Sequence, residues 1–148
     1  MNSKLIFFIA LVLNFTVTVA FANNPDKVLG VWVTQDSDSK VEIFKKDNKY
    51  YGKIVWLKTP MDNNKPVVDK FNPKEKLKTR PVLGLVVLND LKYNDNEWED
   101  GKVYDPKTGK TYDCKMWIDE KDNSIIHIKG FIGFSLIGKE VKWKKAII

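Results

Sequence analysis

Lys110-Thr111-Tyr112-Asp113-Cys114-Lys115-Met116-Trp117-Ile118-Asp119 alternates. Tyr112, Cys114, Met116 and Ile118 fall on one side of an extended chain, and Asp113, Lys115, Trp117 and Asp119 on the other. Side chains alternate across a strand with period two, whereas a helix repeats every three to four residues. The stretch therefore predicts a strand with one side against a core. Turns flank it. In Asp105-Pro106-Lys107-Thr108-Gly109, proline fixes one φ angle and glycine accepts a positive one. Glu120 to Asn123 turns the chain on the other side.

The same alternation extends outward in both directions. Strands are predicted at Val28–Thr34, Lys40–Lys46, Lys49–Leu57, Val82–Leu91, Trp98–Tyr104, Ser124–Ile132 and Leu136–Lys145. Eight short strands joined mostly by hairpins close on themselves, because closure removes exposed edges. The predicted fold is all-β, a single antiparallel up-and-down barrel of about eight strands. A smaller OB-type barrel with five main strands is the competing fold. One segment breaks the pattern: residues 58–80 hold three prolines and little periodicity. Within it, Asn72-Pro73-Lys74-Glu75 is a helix-start signal that predicts one short helix, Pro73–Lys78. A loop of this length in a compact domain often carries function.

The first 22 residues have another character. Lys4 precedes the apolar run Leu5–Val19, which closes on Ala20-Phe21-Ala22. A charge, an apolar run and an A-x-A site describe a signal peptide over 1–22; a spanning helix needs about 20 apolar residues. The expectation is an exported protein, periplasmic or secreted, with one domain over 23–148 and no transmembrane anchor after cleavage. The chain carries a formal charge of +6, with Arg80 as its one arginine. The lysines are spread along it and mixed with acids, unlike the clustered, arginine-using surface of a nucleic-acid binder. Nucleic acid is not an expected partner. Cys114 is the only cysteine, so no disulfide can form within the chain.

Gly30-Val31-Trp32 in the first strand resembles the lipocalin and calycin entry motif. That resemblance implies that Trp32 plugs one end of the barrel and that a basic residue near the last strand, here Lys145, stacks on it. The wider order is Val41-Glu42-Ile43, Gly52–Leu57, Asp69, Asn72-Pro73, Leu77, Arg80-Pro81, Gly84, Gly101–Pro106, Gly109–Tyr112, Lys129–Gly133, Leu136, Gly138 and Trp143. It resembles the bacterial family called domain of unknown function 2147 over almost all of residues 23–148. The resemblance implies an exported, lipocalin-like barrel and no established activity. Lysine stands at 78 and 145 where the family pattern often has arginine.

Arg80 has two readings. A guanidinium fork can clamp a ligand carboxylate or phosphate through two parallel bonds, or it can pin the long loop to Asp69 or Asp105. Asp105 reads either as an acid–base group, which would need a second titratable partner, or as the cap of its own turn. His127 falls on the more polar side of its strand, and one His with one Cys cannot make a zinc site. Cys114 sits on an apolar face, where a thiol is inert. No catalytic residue, metal site or cofactor is predicted. The aromatics either fill the barrel or line a cavity. Candidate ligand-binding residues are Trp32, Trp56, Asp69, Arg80, Tyr104, Asp105 and Tyr112. The expected role is binding of a small apolar or amphipathic ligand, with residues 58–80 as a lid. The alternative is a packed barrel that contacts a component of the cell envelope.

Overall fold

The computed structural model describes residues 23–132 and 138–147. The expected leader, residues 1–22, and the start of the eighth expected strand, Leu136 and Ile137, lie outside them. The chain enters through a 3-10 turn, Pro25–Val28, capped by the Asn24 side chain on the Asp26 amide. Ten strands follow: β1 Gly30–Val33, β2 Ser39–Lys46, β3 Lys49–Leu57, β4 Met61–Asp62, β5 Lys65–Pro66, β6 Val86–Asn94, β7 Glu97–Asp105, β8 Lys110–Ile118, β9 Ile125–Phe131 and β10 Gly138–Lys145. Eight of them form a closed barrel in the order β1-β10-β9-β8-β7-β6-β3-β2, each antiparallel to its neighbours. The first strand seals against the last, with Trp32 opposite Lys145. This is the predicted eight-stranded meander rather than the five-stranded alternative.

Tight turns set the register. Asp47-Asn48 and Asp95-Asn96 join their strands with both residues at positive φ, the geometry whose twist matches paired strands. Asn63-Asn64 does the same between β4 and β5, a hairpin that residues 58–80 did not announce. Two other expectations change. The predicted strand Val82–Leu91 begins only at Val86, because Gly84 sits at φ 88° and breaks the extended run. The predicted helix Pro73–Lys78 is a single 3-10 turn, Glu75–Leu77. Asn72 does not cap a helix there. Its side-chain oxygen accepts from the Lys74 amide, while its amide group is turned toward the barrel.

The topology gives the barrel two unlike ends. The entry turn and the β2–β3, β6–β7 and β8–β9 turns gather at one end, which is packed solid. Trp32, Trp98, Tyr50, Leu91, Met116 and Ile126 are buried there. Trp98 meets Tyr50 edge-on at 6.0 Å and Tyr93 at 5.2 Å, spacings at which aromatic pairs attract. Trp32 donates its indole N–H to the Val28 carbonyl at 2.9 Å, and Lys145 Nζ lies 5.0 Å above its ring. The entry turn thus works as a plug.

The other end receives the β1–β2 and β7–β8 turns, the end of β9, the start of β10 and the long β3–β6 connection. That connection is tied down at several points. The Lys58 amide donates to the Asp38 carbonyl at 2.8 Å, and Val68 bridges to Pro81. Further on, the backbone of Phe71 rests against Gly109 in the β7–β8 turn.

Candidate functional site

The inward faces of the strands do not meet at this second end. A cavity of about 730 Å³ opens there. Its walls are Val41, Ile54, Val87, Val103, Ile128 and Val141, with Trp143 deepest along β10. Thr34, Gln35, Asp36, Asp38, Ser39, Lys107, Thr108 and Lys139 add polar atoms around the mouth. The space exists because of what the strands contribute here. Alternation aims Ile128 and Gly130 inward on β9, and Gly130 supplies no side chain. A β-carbon on Gly130 would find only ordinary contacts, 3.5 Å to Tyr112 and 3.7 Å to Val103. Trp32, Trp98 and Tyr50, which could have filled the volume, are spent at the other end.

The mouth is ordered by its own hydrogen bonds. Asp38 accepts from Thr34, Ser39 and the Lys107 ammonium, joining the β1–β2 and β7–β8 turns across the opening. Burial works against the Asp38 charge, but these donors outweigh it and hold its carboxyl below the usual range. Asp105 closes the β7–β8 turn, accepting from the Lys107 amide at 2.9 Å and from the Thr108 hydroxyl at 2.9 Å.

Beside the cavity wall lies a second constellation. Asp69 is fully buried, and its carboxylate accepts three hydrogen bonds and forms an ion pair with Arg80. Arg80 reaches one oxygen through Nε and Nη2, both at 2.9 Å, and the Asn72 amide reaches the same oxygen at 2.8 Å. The Tyr104 hydroxyl takes the other. Burial, then the bond to Asp69, holds the Tyr104 phenol above its ordinary pKa. The Arg80 guanidinium also lies 5.7 Å from the centre of the Tyr104 ring. Charge neutralises charge here, so the cluster fastens the long connection to β7.

The sequence-predicted residues therefore divide. Tyr104, Asp105 and Tyr112 line the cavity. Asp69 and Arg80 stand behind Tyr104, occupied with each other. Trp32 is buried in the plug at the opposite end. Trp56 points outward with its ring under Lys40, because the bulge between Lys40 and Val41 turns that part of β3 away from the interior. Sequence reasoning missed the cavity walls, although their period-two positions next to Gly130 were a usable signal. It also did not foresee the partners of His127. On the outer face of the barrel this ring stacks on Trp117 at 5.0 Å and bonds Glu140 at 2.7 Å and Asp119 at 2.9 Å. Cys114 is buried beneath the sheet, and desolvation pushes its thiol up to about 12. Among the described residues, no group of three or more His, Cys, Asp or Glu could hold a metal ion.

A plugged end, an eight-stranded meander and a hollow end are features of the lipocalin architecture, and the comparisons agree. A family model described as "Uncharacterized protein conserved in bacteria (DUF2147)" matches residues 30–145. The chain belongs to this family. Among solved structures, the DUF2147 barrel is similar to protein HP1028 of Helicobacter pylori, described as belonging to the lipocalin family. Identity is 27%, with 80% of this chain and 82% of that chain covered and a TM-score of 0.67. Comparison with curated proteins returns no match. The matched region spans the barrel from β1 to β10 and includes every described cavity residue.

Proposed function

We propose that this DUF2147 protein is exported and binds a small apolar or amphipathic molecule in the cavity at the open end of its barrel. The cavity carries the proposal. Its volume of about 730 Å³ falls within the ~300–1,000 Å³ of small-molecule sites. Its apolar walls stabilise a hydrocarbon portion by removing it from water, at roughly 25 cal/mol per Å², while the polar mouth meets a head group. The lipocalin resemblance supports the same reading, and the charge, apolar run and A-x-A sequence of residues 1–22 support export.

The test uses a fluorescent apolar probe, 1-anilinonaphthalene-8-sulfonate, and the variant Gly130→Leu. The leucine enters the cavity from a position with room for its β-carbon. Wild-type protein is expected to bind one probe, displaced by long-chain amphiphiles. Gly130→Leu is expected to bind it at least ~10-fold more weakly, the equivalent of ~1.4 kcal/mol, with an unchanged or raised melting temperature. Equal probe binding by the two proteins, with no displacement by any amphiphile, overturns the proposal.

A further inference from the structure

We infer that the open end of the barrel docks on an anionic lipid surface, with the β3–β6 connection as the contact and the cavity mouth toward the lipid. This goes beyond the ligand reading and stands on different observations. The first is charge. Residues 58–80 carry six lysines and Arg80 against Asp62, Asp69 and Glu75, a net +4. Arg80 is neutralised by Asp69, and Lys78 by Glu75. What remains is Lys58, Lys65, Lys70, Lys74 and Lys76 against Asp62, and the five lysines are exposed and without an ion-pair partner among the described residues. The opposite end is close to neutral. There, Asp26, Asp47, Asp95, Asp119, Glu120 and Asp122 in and beside the turns offset Lys27, Lys45, Lys46, Lys49, Lys121 and Lys144. A negative surface is therefore met mouth first.

The second observation is apolar surface in the same place. Met61 is 54% exposed, Phe71 53% and Leu83 48%, all in or beside this connection, and Ile132 at the mouth is 72% exposed. Lys70 Nζ lies 5.3 Å from the Phe71 ring centre. Lysines that lay their stems along apolar groups while the ammonium stays wet suit a headgroup boundary. The combination argues against other occupants. A soluble polyanion gains nothing from Met61 and Phe71, and lysine is depleted in protein–protein interfaces. An anionic bilayer uses both. Each lysine near its surface contributes roughly fivefold in affinity, and the apolar side chains enter the acyl boundary. Docked this way, the mouth opens onto lipid, and an amphipathic solute can pass between bilayer and cavity without crossing bulk water.

The test is co-sedimentation with vesicles of phosphatidylcholine alone and of phosphatidylcholine mixed equally with phosphatidylglycerol. All proteins carry the same residues 1–22, so that segment contributes equally throughout. Wild type is expected to prefer the phosphatidylglycerol vesicles and to be released by salt. The triple variant Lys70→Gln, Lys74→Gln, Lys76→Gln is expected to bind them on the order of a hundredfold more weakly. A control, Lys46→Gln, Lys121→Gln, Lys144→Gln, alters exposed lysines at the opposite end and is expected to change affinity by no more than about threefold. Met61→Ser with Phe71→Ser is expected to weaken vesicle binding while leaving adsorption to dextran sulfate unchanged. Circular dichroism melts verify that each variant is folded. The inference fails if the phosphatidylglycerol preference is absent, or if the control loses as much as the loop variant. It also fails if dextran sulfate binds as tightly as vesicles and the serine pair changes neither, which would assign the surface to a soluble anionic polymer. Gly130→Leu keeps the two readings separable: it is expected to lose the fluorescent probe and still sediment with the anionic vesicles.

Discussion

Asp69 is the buried charge with most depending on it. Three hydrogen bonds and the Arg80 charge converge on one carboxylate, from residues as far apart in sequence as Asn72 and Tyr104. Removing one partner of a buried pair costs more than the pair itself contributes, because the remaining charge is left uncompensated. Asp69→Asn is expected to lose ~2–3 kcal/mol of stability, read as a lower midpoint in urea, since Arg80 then faces a neutral amide. Arg80→Lys is expected to lose about 1 kcal/mol, because an ammonium cannot reproduce the two contacts of the guanidinium. A wild-type midpoint for Asp69→Asn would show that the cluster contributes nothing. Part of this site was legible in the sequence. A lone arginine in a lysine-rich chain drew notice, and Asp69 was one of two partners offered for it. Asn72 was read as a helix cap, and Tyr104 was grouped with Asp69 and Arg80 without being named as the partner of Asp69, because that contact spans 35 residues and depends on where the long connection lands.

Elements were readable where one local rule governed them. Alternation fixed the strands of β2, β3 and β7 to β9 to within a few residues, since one face had to meet the interior. Local rules failed where tertiary contacts took over. Val82 and Leu85 are as apolar as the β6 residues that follow, yet they pack as loop around Gly84. Asn72 carries a helix-cap sequence but gives its amide to Asp69 and Tyr104 instead. The β7–β8 turn shows how such an element is held. Gly109 sits at φ 71°, and a β-carbon there would lie 1.9 Å from the Phe71 carbonyl oxygen. Gly109→Ala therefore suffers twice, from left-handed backbone and from collision with the long connection. The backbone effect alone is worth about 1 kcal/mol, so a loss of more than that is expected. It should be accompanied by faster proteolysis within residues 58–80, read by limited digestion and mass spectrometry. Cleavage at the wild-type rate would mean that the turn does not hold the connection in place.

At the scale of the whole molecule, the sequence showed abundant aromatics and left open whether they fill the barrel or line a cavity. Both happen, at opposite ends. Trp32, Trp98 and Tyr50 fill one end, and the other is left hollow by Gly130 and small branched residues. Composition carries no information on that division, which appears only when register assigns each inward residue to a level. The outer wall has its own lock. His127 on β9 joins Glu140 on β10 and Asp119 just past β8, so one ring ties three successive strands. Burial lowers the imidazole pKa, but the hydrogen bonds to Glu140 and Asp119 outweigh it, and the net shift is upward from 6.5. Such a group binds its proton more tightly folded than unfolded, so its stabilisation is complete below pH ~6.5 and fades as pH rises through the folded value. The bond to His127, with backbone donors from Lys121 and Asp122, lowers the Asp119 pKa. Its contribution is therefore present above the unfolded carboxylate value and is lost in acid. Thermal midpoints are expected to fall between about pH 6 and about pH 8 in the wild type. In His127→Gln, which cannot ionise, that decline should flatten. Equal slopes for the two proteins would mean that the three-strand clasp carries no proton-linked stability and that the pH dependence originates elsewhere in the barrel.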